Sequence, residues 1–128
     1  MSTNMGTHAA HTGAGNMSHN MQQCIEECFN CHSVCLATVQ HCLQMGGKHA
    51  SPEHIRTLLD CALSCQTSAN FMLHNSPFHA RYCGLCAEIC AACAQSCEQM
   101  GDSDAQMQAC AAACRRCEES CRQMASMM

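Results

Sequence analysis

The sequence has no tryptophan, one tyrosine, three phenylalanines and only two prolines. Leu, Ile, Val and Phe together make 15 of 128 residues, below the roughly 20% under which a chain tends to remain unfolded. Six Lys and Arg leave no basic face for nucleic acid, and no stretch approaches the roughly 20 apolar residues of a membrane span. β-branched clusters are missing, which removes the usual signature of strands. No paired catalytic carboxylates and no phosphate loop stand out, so nothing recommends an enzyme. Yet the net charge is only -4, and nearly half the chain is apolar. Such a chain should collapse, and the missing core volume has to come from its 16 Cys, its 11 Met and its alanines. A protonated Cys is a small hydrophobe and is commonly buried.

The cysteines are ordered. Cys83, Cys86, Cys90, Cys93 and Cys97 follow one another at steps of three and four, the seam of an α-helix facing a bundle interior. A longer ladder reads Met17, Met21, Cys24, Cys28, Cys31, Cys35, Thr38, Cys42, Met45 and predicts a helix over about 17–45. Phe29, Val34, Leu36, Val39 and Leu43 either widen its apolar face or meet a second subunit. Gly46 and Gly47 end it, and Ser51, Pro52 and Glu53 open a second helix over about 52–74, whose seam is His54, Leu58, Cys61, Cys65, Ser68 and Met72. Ser76 and Pro77 introduce the third helix, about 78–100, closing on Met100 and Gly101. Asp102, Ser103 and Asp104 cap a fourth over about 103–125, carrying Met107, Cys110, Cys114, Cys117, Cys121, Met124 and Met128.

Four helices with short turns predict an all-α fold, an antiparallel up-down-up-down four-helix bundle with a Cys-lined core. Alternating directions gather Met45, His54, Met100 and Met107 at one end and Met17, Met21, Met72 and Met124 at the other. Thiols would fill the middle and soft, neutral thioethers the mouths. His54 stands out as the mouth residue, whereas His32, His41 and His49 lie off the seam and are expected at the surface. His74 and His79 flank a turn and receive no role.

Residues 1–16 read as a flexible tail containing Met5, His8 and His11, ahead of a bundle domain over 17–128. The first twenty residues show neither the basic start nor the apolar stretch of an export signal, so the chain is expected in the cytoplasm. Cytosolic thiols stay reduced, and a dense Cys pattern there points to metal. Adjacent ladder sulfurs can flank one two-coordinate Cu(I) along a helix. Zinc needs four thiolates per ion and leaves about two negative charges at each buried site. Cu(I) at roughly one ion per Cys gives a neutral core, and electroneutrality favours it. Iron-sulfur clusters usually sit in irregular Pro-containing loops, and a redox enzyme needs one exposed reactive thiol, so both fit less well. A disulfide-stapled structural protein remains open.

The runs CIEECFNCHSVC at 24–35, SPFHARYCGLCAEICAACAQSC at 76–97 and QACAAACRRCEESCRQM at 108–124 resemble the bacterial copper storage proteins, specifically their cytosolic branch. The resemblance implies a bundle assembled as a homotetramer, loading many Cu(I) ions, without catalytic turnover. Copper ions would then be the partners, with no nucleic acid and no membrane. The implied ligands are Cys24, Cys28, Cys31, Cys35, Cys42, Cys61, Cys65, Cys83, Cys86, Cys90, Cys93, Cys97, Cys110, Cys114, Cys117 and Cys121; His54, Met45, Met100 and Met107 are added from the topology as the mouth, where His54 and Met107 depart from a fully sulfur-lined version. Thr38, Leu58 and Ser68 interrupt the sulfur lining. Counting free thiols in freshly prepared, metal-stripped protein separates storage from stapling: near 16 is expected for the former, near zero for the latter.

Overall fold

The computed structural model describes residues 16–101 and 103–127, with side chains from residue 19 onward. The expected tail, the side chain of Met17, and Asp102 and Met128 lie outside the described residues. Four helices account for nearly all of it: α1, Asn16–Met45; α2, Pro52–Leu73; α3, His79–Met100; and α4, Ala105–Ser126. Neighbours in sequence are neighbours in space, and α1 also packs on α4, closing the ring. This is the up-down-up-down bundle predicted from the ladders.

Local chemistry sets each end. Gly46 and Gly47 adopt left-handed φ values of 72° and 57°, which a residue with a side chain reaches only under strain. They stop α1 and feed a short 3-10 turn, Gly47–Ala50, that the sequence reading did not foresee. Ser51 then caps α2, its Oγ accepting from the His54 N–H at 3.3 Å, with Pro52 in the first turn. At the far end of α2, Asn75 takes φ 55°. Ser76 N–H donates to the Phe71 carbonyl at 2.9 Å and Asn75 N–H to that of Met72 at 3.0 Å, a Schellman closure. Asp104 caps α4 through the N–H groups of Gln106 and Met107.

All 16 cysteines are buried, and none is in a disulfide. With Cys on the seam and Ala62, Ala69, Ala87, Ala94 and Ala111 beside it, the core is built from small groups. Larger ones sit toward its ends: Leu58, Met72, Met107 and Met124 are fully buried. Phe29, Leu36 and Leu43 are exposed, whereas Val34 and Val39 pack partly against the core. Thr38 and Ser68 interrupt the sulfur but are satisfied. Thr38 Oγ1 donates to the Val34 carbonyl at 2.7 Å and accepts from Gln106 Nε2 at 2.8 Å. Ser68 Oγ lies 3.3 Å from Cys83 Sγ.

Two substitutions are expected to move stability in opposite directions. A Cβ built on Gly84 would meet the Ala125 Cβ at 3.5 Å, an ordinary contact, so G84A should stabilise the metal-free fold by about 1 kcal/mol. L58A empties a fully buried site and should cost about 3 kcal/mol. Urea unfolding of the reduced, metal-free protein measures both; a destabilised G84A would mean that the α3–α4 approach is tighter than described.

Candidate metal centre

The four seams converge on the bundle axis. Starting at one end, Cys24 Sγ lies 3.7 Å from that of Cys121, Cys121 lies 3.8 Å from Cys28, and Cys28 lies 3.6 Å from Cys117. From Cys117 the path continues through Cys65 at 3.7 Å, Cys90 at 3.7 Å, Cys61 at 3.8 Å and Cys31 at 3.8 Å. It reaches Cys114 at 3.7 Å, Cys35 at 3.9 Å, and then Cys110 at 3.9 Å and Cys93 at 4.0 Å. Cys86 joins from the side, 3.9 Å from Cys65. Sulfur therefore forms a continuous filament through the core.

Most of these contacts cross between helices. Cys31 with Cys35 at 3.9 Å and Cys86 with Cys90 at 4.0 Å are contacts along one helix. The within-helix pairs expected from the ladders are present, and four seams on one axis bring facing sulfurs just as near, so neighbouring sulfurs are available both along a helix and across helices. With a metal-sulfur bond of about 2.3 Å, sulfurs lie about 4.6 Å apart around a linear ion, about 4.0 Å around a trigonal one and about 3.8 Å around a tetrahedral one. The observed spacing meets the last two, and a linear ion requires the sulfurs to spread by well under a bond length. Groups whose four sulfurs all lie within 4.8 Å of one another include Cys28, Cys86, Cys117 and Cys121; Cys31, Cys61, Cys65 and Cys90; and Cys35, Cys93, Cys110 and Cys114. Others overlap these, so most central cysteines belong to more than one possible site.

At one end the filament gives way to mixed chemistry. Cys42 Sγ faces His54 Nε2 at 3.4 Å, and Ser96 Oγ holds His54 Nδ1 at 2.6 Å. His54 is 2% exposed, and burial lowers its pKa, keeping the ring neutral with a nitrogen toward the thiol. Met107 is buried beside this region and Met100 packs partly against the core. Met45 does not close the mouth: it is 54% exposed. A straight helix drifts about 20° per heptad from a strict seven-residue repeat, so a seam anchored at Cys24 has turned away three heptads later. At the other end Met72 and Met124 are buried and Met21 is partly so.

The histidines off the seam were expected at the surface, and three are instead half-buried. His32 Nδ1 lies 2.7 Å from the Ala62 carbonyl, bracing α1 on α2. His41 Nε2 lies 2.9 Å from Asp104 Oδ2, and His49 reaches the same oxygen from the unforeseen 3-10 turn. Ser96 also escaped sequence reasoning. Its neighbour Cys97 marks the seam, but a serine one place off it carries no periodic signal.

The family model for copper storage proteins matches residues 17–126. The chain belongs to that family. Its fold matches a crystal structure from Nitrosospira multiformis, 48% identical, with TM-score 0.81 over 87% of this chain and 99% of that one. A Cu(I)-bound copper storage protein of Bacillus subtilis is 37% identical, with TM-score 0.76 over 83% and 98%. A cytosolic copper storage protein of Streptomyces lividans, described for its copper loading, is 29% identical, with TM-score 0.78 over 88% and 98%. An uncharacterised cysteine-rich protein of Bacillus subtilis is 38% identical over 73 residues, 57% of this chain and 68% of its own length.

The thiols of this family member do not all ionise alike: contact with Cys114 holds Cys31 and Cys110 below the ordinary thiol range, while others are held above it. Burial, with the Asp104 carboxylate second, pushes the Cys42 thiol up to about 11. Contact with Cys121 pushes Cys83 up to about 11. Deeper in, contact with Cys117 raises Cys65 and contact with Cys110 raises Cys114. An unfolded chain ionises these groups near 9.0, so above that pH it binds fewer protons than the folded one and stability falls. The melting temperature of reduced, metal-free protein should hold up to about pH 8 and decline between about pH 9 and 11. A level profile through that window would mean that the thiols are not held protonated by the fold.

Proposed function

We propose that this chain stores Cu(I) in bulk, taking up many ions as thiolate clusters along the bundle axis and releasing them later, without catalytic turnover. The observation that carries the reading is the continuous run of buried, unpaired thiols at 3.6–4.0 Å with only one imidazole, His54, and no Lys or Arg among the buried residues described. A divalent ion in four thiolates leaves two negative charges at each site in that interior. Cu(I) replacing the proton of each thiol leaves none. Roughly one ion per Cys is the capacity this balance favours, each thiolate bridging two ions.

All 16 cysteines serve as ligands in this reading. His54 and Met107 receive copper at the mouth, Met100 assists, and Met45 acts only from outside. Ser96 fixes the His54 ring so that one nitrogen points at Cys42. Phe29, Leu36 and Leu43 lie one heptad apart on the outer side of α1, and Leu59 and Leu63 are exposed on α2. These residues supply an apolar face for a homo-oligomer, a tetramer by analogy with the family. No helix among the described residues is long and apolar enough to cross a membrane. A cytoplasmic location follows by analogy with the Streptomyces relative, which is described as cytosolic.

Anaerobic titration with Cu(I) should saturate at roughly one ion per Cys and release about one proton per ion, so loading weakens in acid. C90S and C117S should lower capacity more than helicity, whereas H54A should change the rate of loading or unloading and leave capacity nearly intact. Saturation near four ions, with zinc preferred, would overturn the proposal.

A further inference from the structure

His41 on α1, His49 on the 3-10 turn and Asp104 at the head of α4 meet beside the mouth, outside the sulfur filament. The two oxygens of Asp104 have separate roles. Oδ1 accepts the capping hydrogen bonds from the N–H groups of Gln106 at 3.0 Å and Met107 at 3.1 Å. Oδ2 faces His41 Nε2 at 2.9 Å and His49 Nε2 at 3.5 Å. The rings stand edge to face at 84° with centroids 6.4 Å apart, so they are not stacked on each other. His49 Nε2 is shielded from solvent and makes no hydrogen bond. A buried polar atom aimed at a carboxylate without bonding to it needs a partner.

We propose that His41, His49 and Asp104 bind one borderline divalent cation, of the class of Zn(II), at a site separate from the copper store. Zinc bonds to imidazole nitrogen and carboxylate oxygen are about 2.0–2.2 Å, which places ligand atoms of a tetrahedral site about 3.4 Å apart. The His49–Asp104 separation already has that value, and His41 has to withdraw by only about half an ångström, exchanging a hydrogen bond for a coordinate bond. Asp104 would bind through Oδ2 alone. Its capping donors on Oδ1 orient the carboxylate as outer-shell partners do in metal sites. Two nitrogens and one oxygen suit Zn(II) better than Cu(I), which the adjacent sulfurs take preferentially. The fourth position is left to water, since the His41 side chain is 31% exposed. Such an ion ties together α1, the turn before α2 and the head of α4.

The free thiols would compete for zinc, so the test uses protein saturated with Cu(I) under anaerobic conditions and titrated with Co(II), a spectroscopic stand-in. One Co(II) per chain is expected, with visible ligand-field bands, no sulfur-to-cobalt charge transfer, and paramagnetic shifts at the His41 and His49 rings. H41Q, H49Q and D104N, the last retaining a capping side chain, should each weaken Co(II) binding about tenfold or more. Cu(I) capacity, measured on the same samples, should not change, and it reports on storage independently. Absence of Co(II) binding, a thiolate charge-transfer band, or undiminished binding in all three variants would overturn the site.

Discussion

A buried thiol can be neutral in two ways, by keeping its proton or by exchanging it for a monovalent metal ion, and the interior of this bundle depends on one or the other at every cysteine. Sixteen ionised sulfurs in a 128-residue chain could not be enclosed together. With protons in place the same atoms are modest hydrophobes in van der Waals contact, and they replace the leucines and valines the sequence lacks. The fold can therefore form before any cargo arrives. The one-for-one exchange of H⁺ for Cu⁺ proposed above would preserve the charge of the interior at each stage of filling.

Small side chains have a second consequence. Cys on the axis and Ala beside it let the helices approach closely, as the neighbouring Gly84 and Ala125 on α3 and α4 illustrate. Close approach brings facing sulfurs to within 4 Å. A core of leucines would hold the helices farther apart, and sparse cysteines within it would be isolated. Compactness and ligand density are thus one property of the sequence. Leu58, Met72, Met107 and Met124 supply bulk toward the ends, where the sulfur filament gives out.

The periodic part of this arrangement was readable from the chain. Steps of three and four place a residue on the seam whatever its neighbours are, so helix count, topology and the burial of every Cys followed from spacing. What spacing could not show was anything dependent on the space between helices. The sulfur contacts are mainly interhelical, and a ladder drawn on one helix gives the convergence on the axis but not which sulfurs face each other. Met45 continued its ladder in sequence but not in space, because a long repeat outruns a straight helix. Ser96, His32 and His41 act across helix boundaries through single hydrogen bonds, which leave no periodic trace. His49 needed the 3-10 turn, and paired glycines announced a break without its shape.

The two ends of the bundle differ, and that difference bears on how a sealed interior can exchange anything. Beyond Cys24 and Cys83 the axis meets Met72 and Met124, neutral and fully enclosed, with the Ser68 hydroxyl beside Cys83. At the opposite end Cys42 meets a neutral imidazole whose other nitrogen is held by Ser96. A proton leaving a thiol needs an acceptor, and an incoming copper ion needs a ligand before it reaches the first thiolate. His54 offers both within 3.4 Å of the nearest sulfur, whereas a thioether offers only the second. On the reading proposed above, proton and metal would move in opposite directions through the same few ångströms, and the imidazole end is the one that carries a group for each.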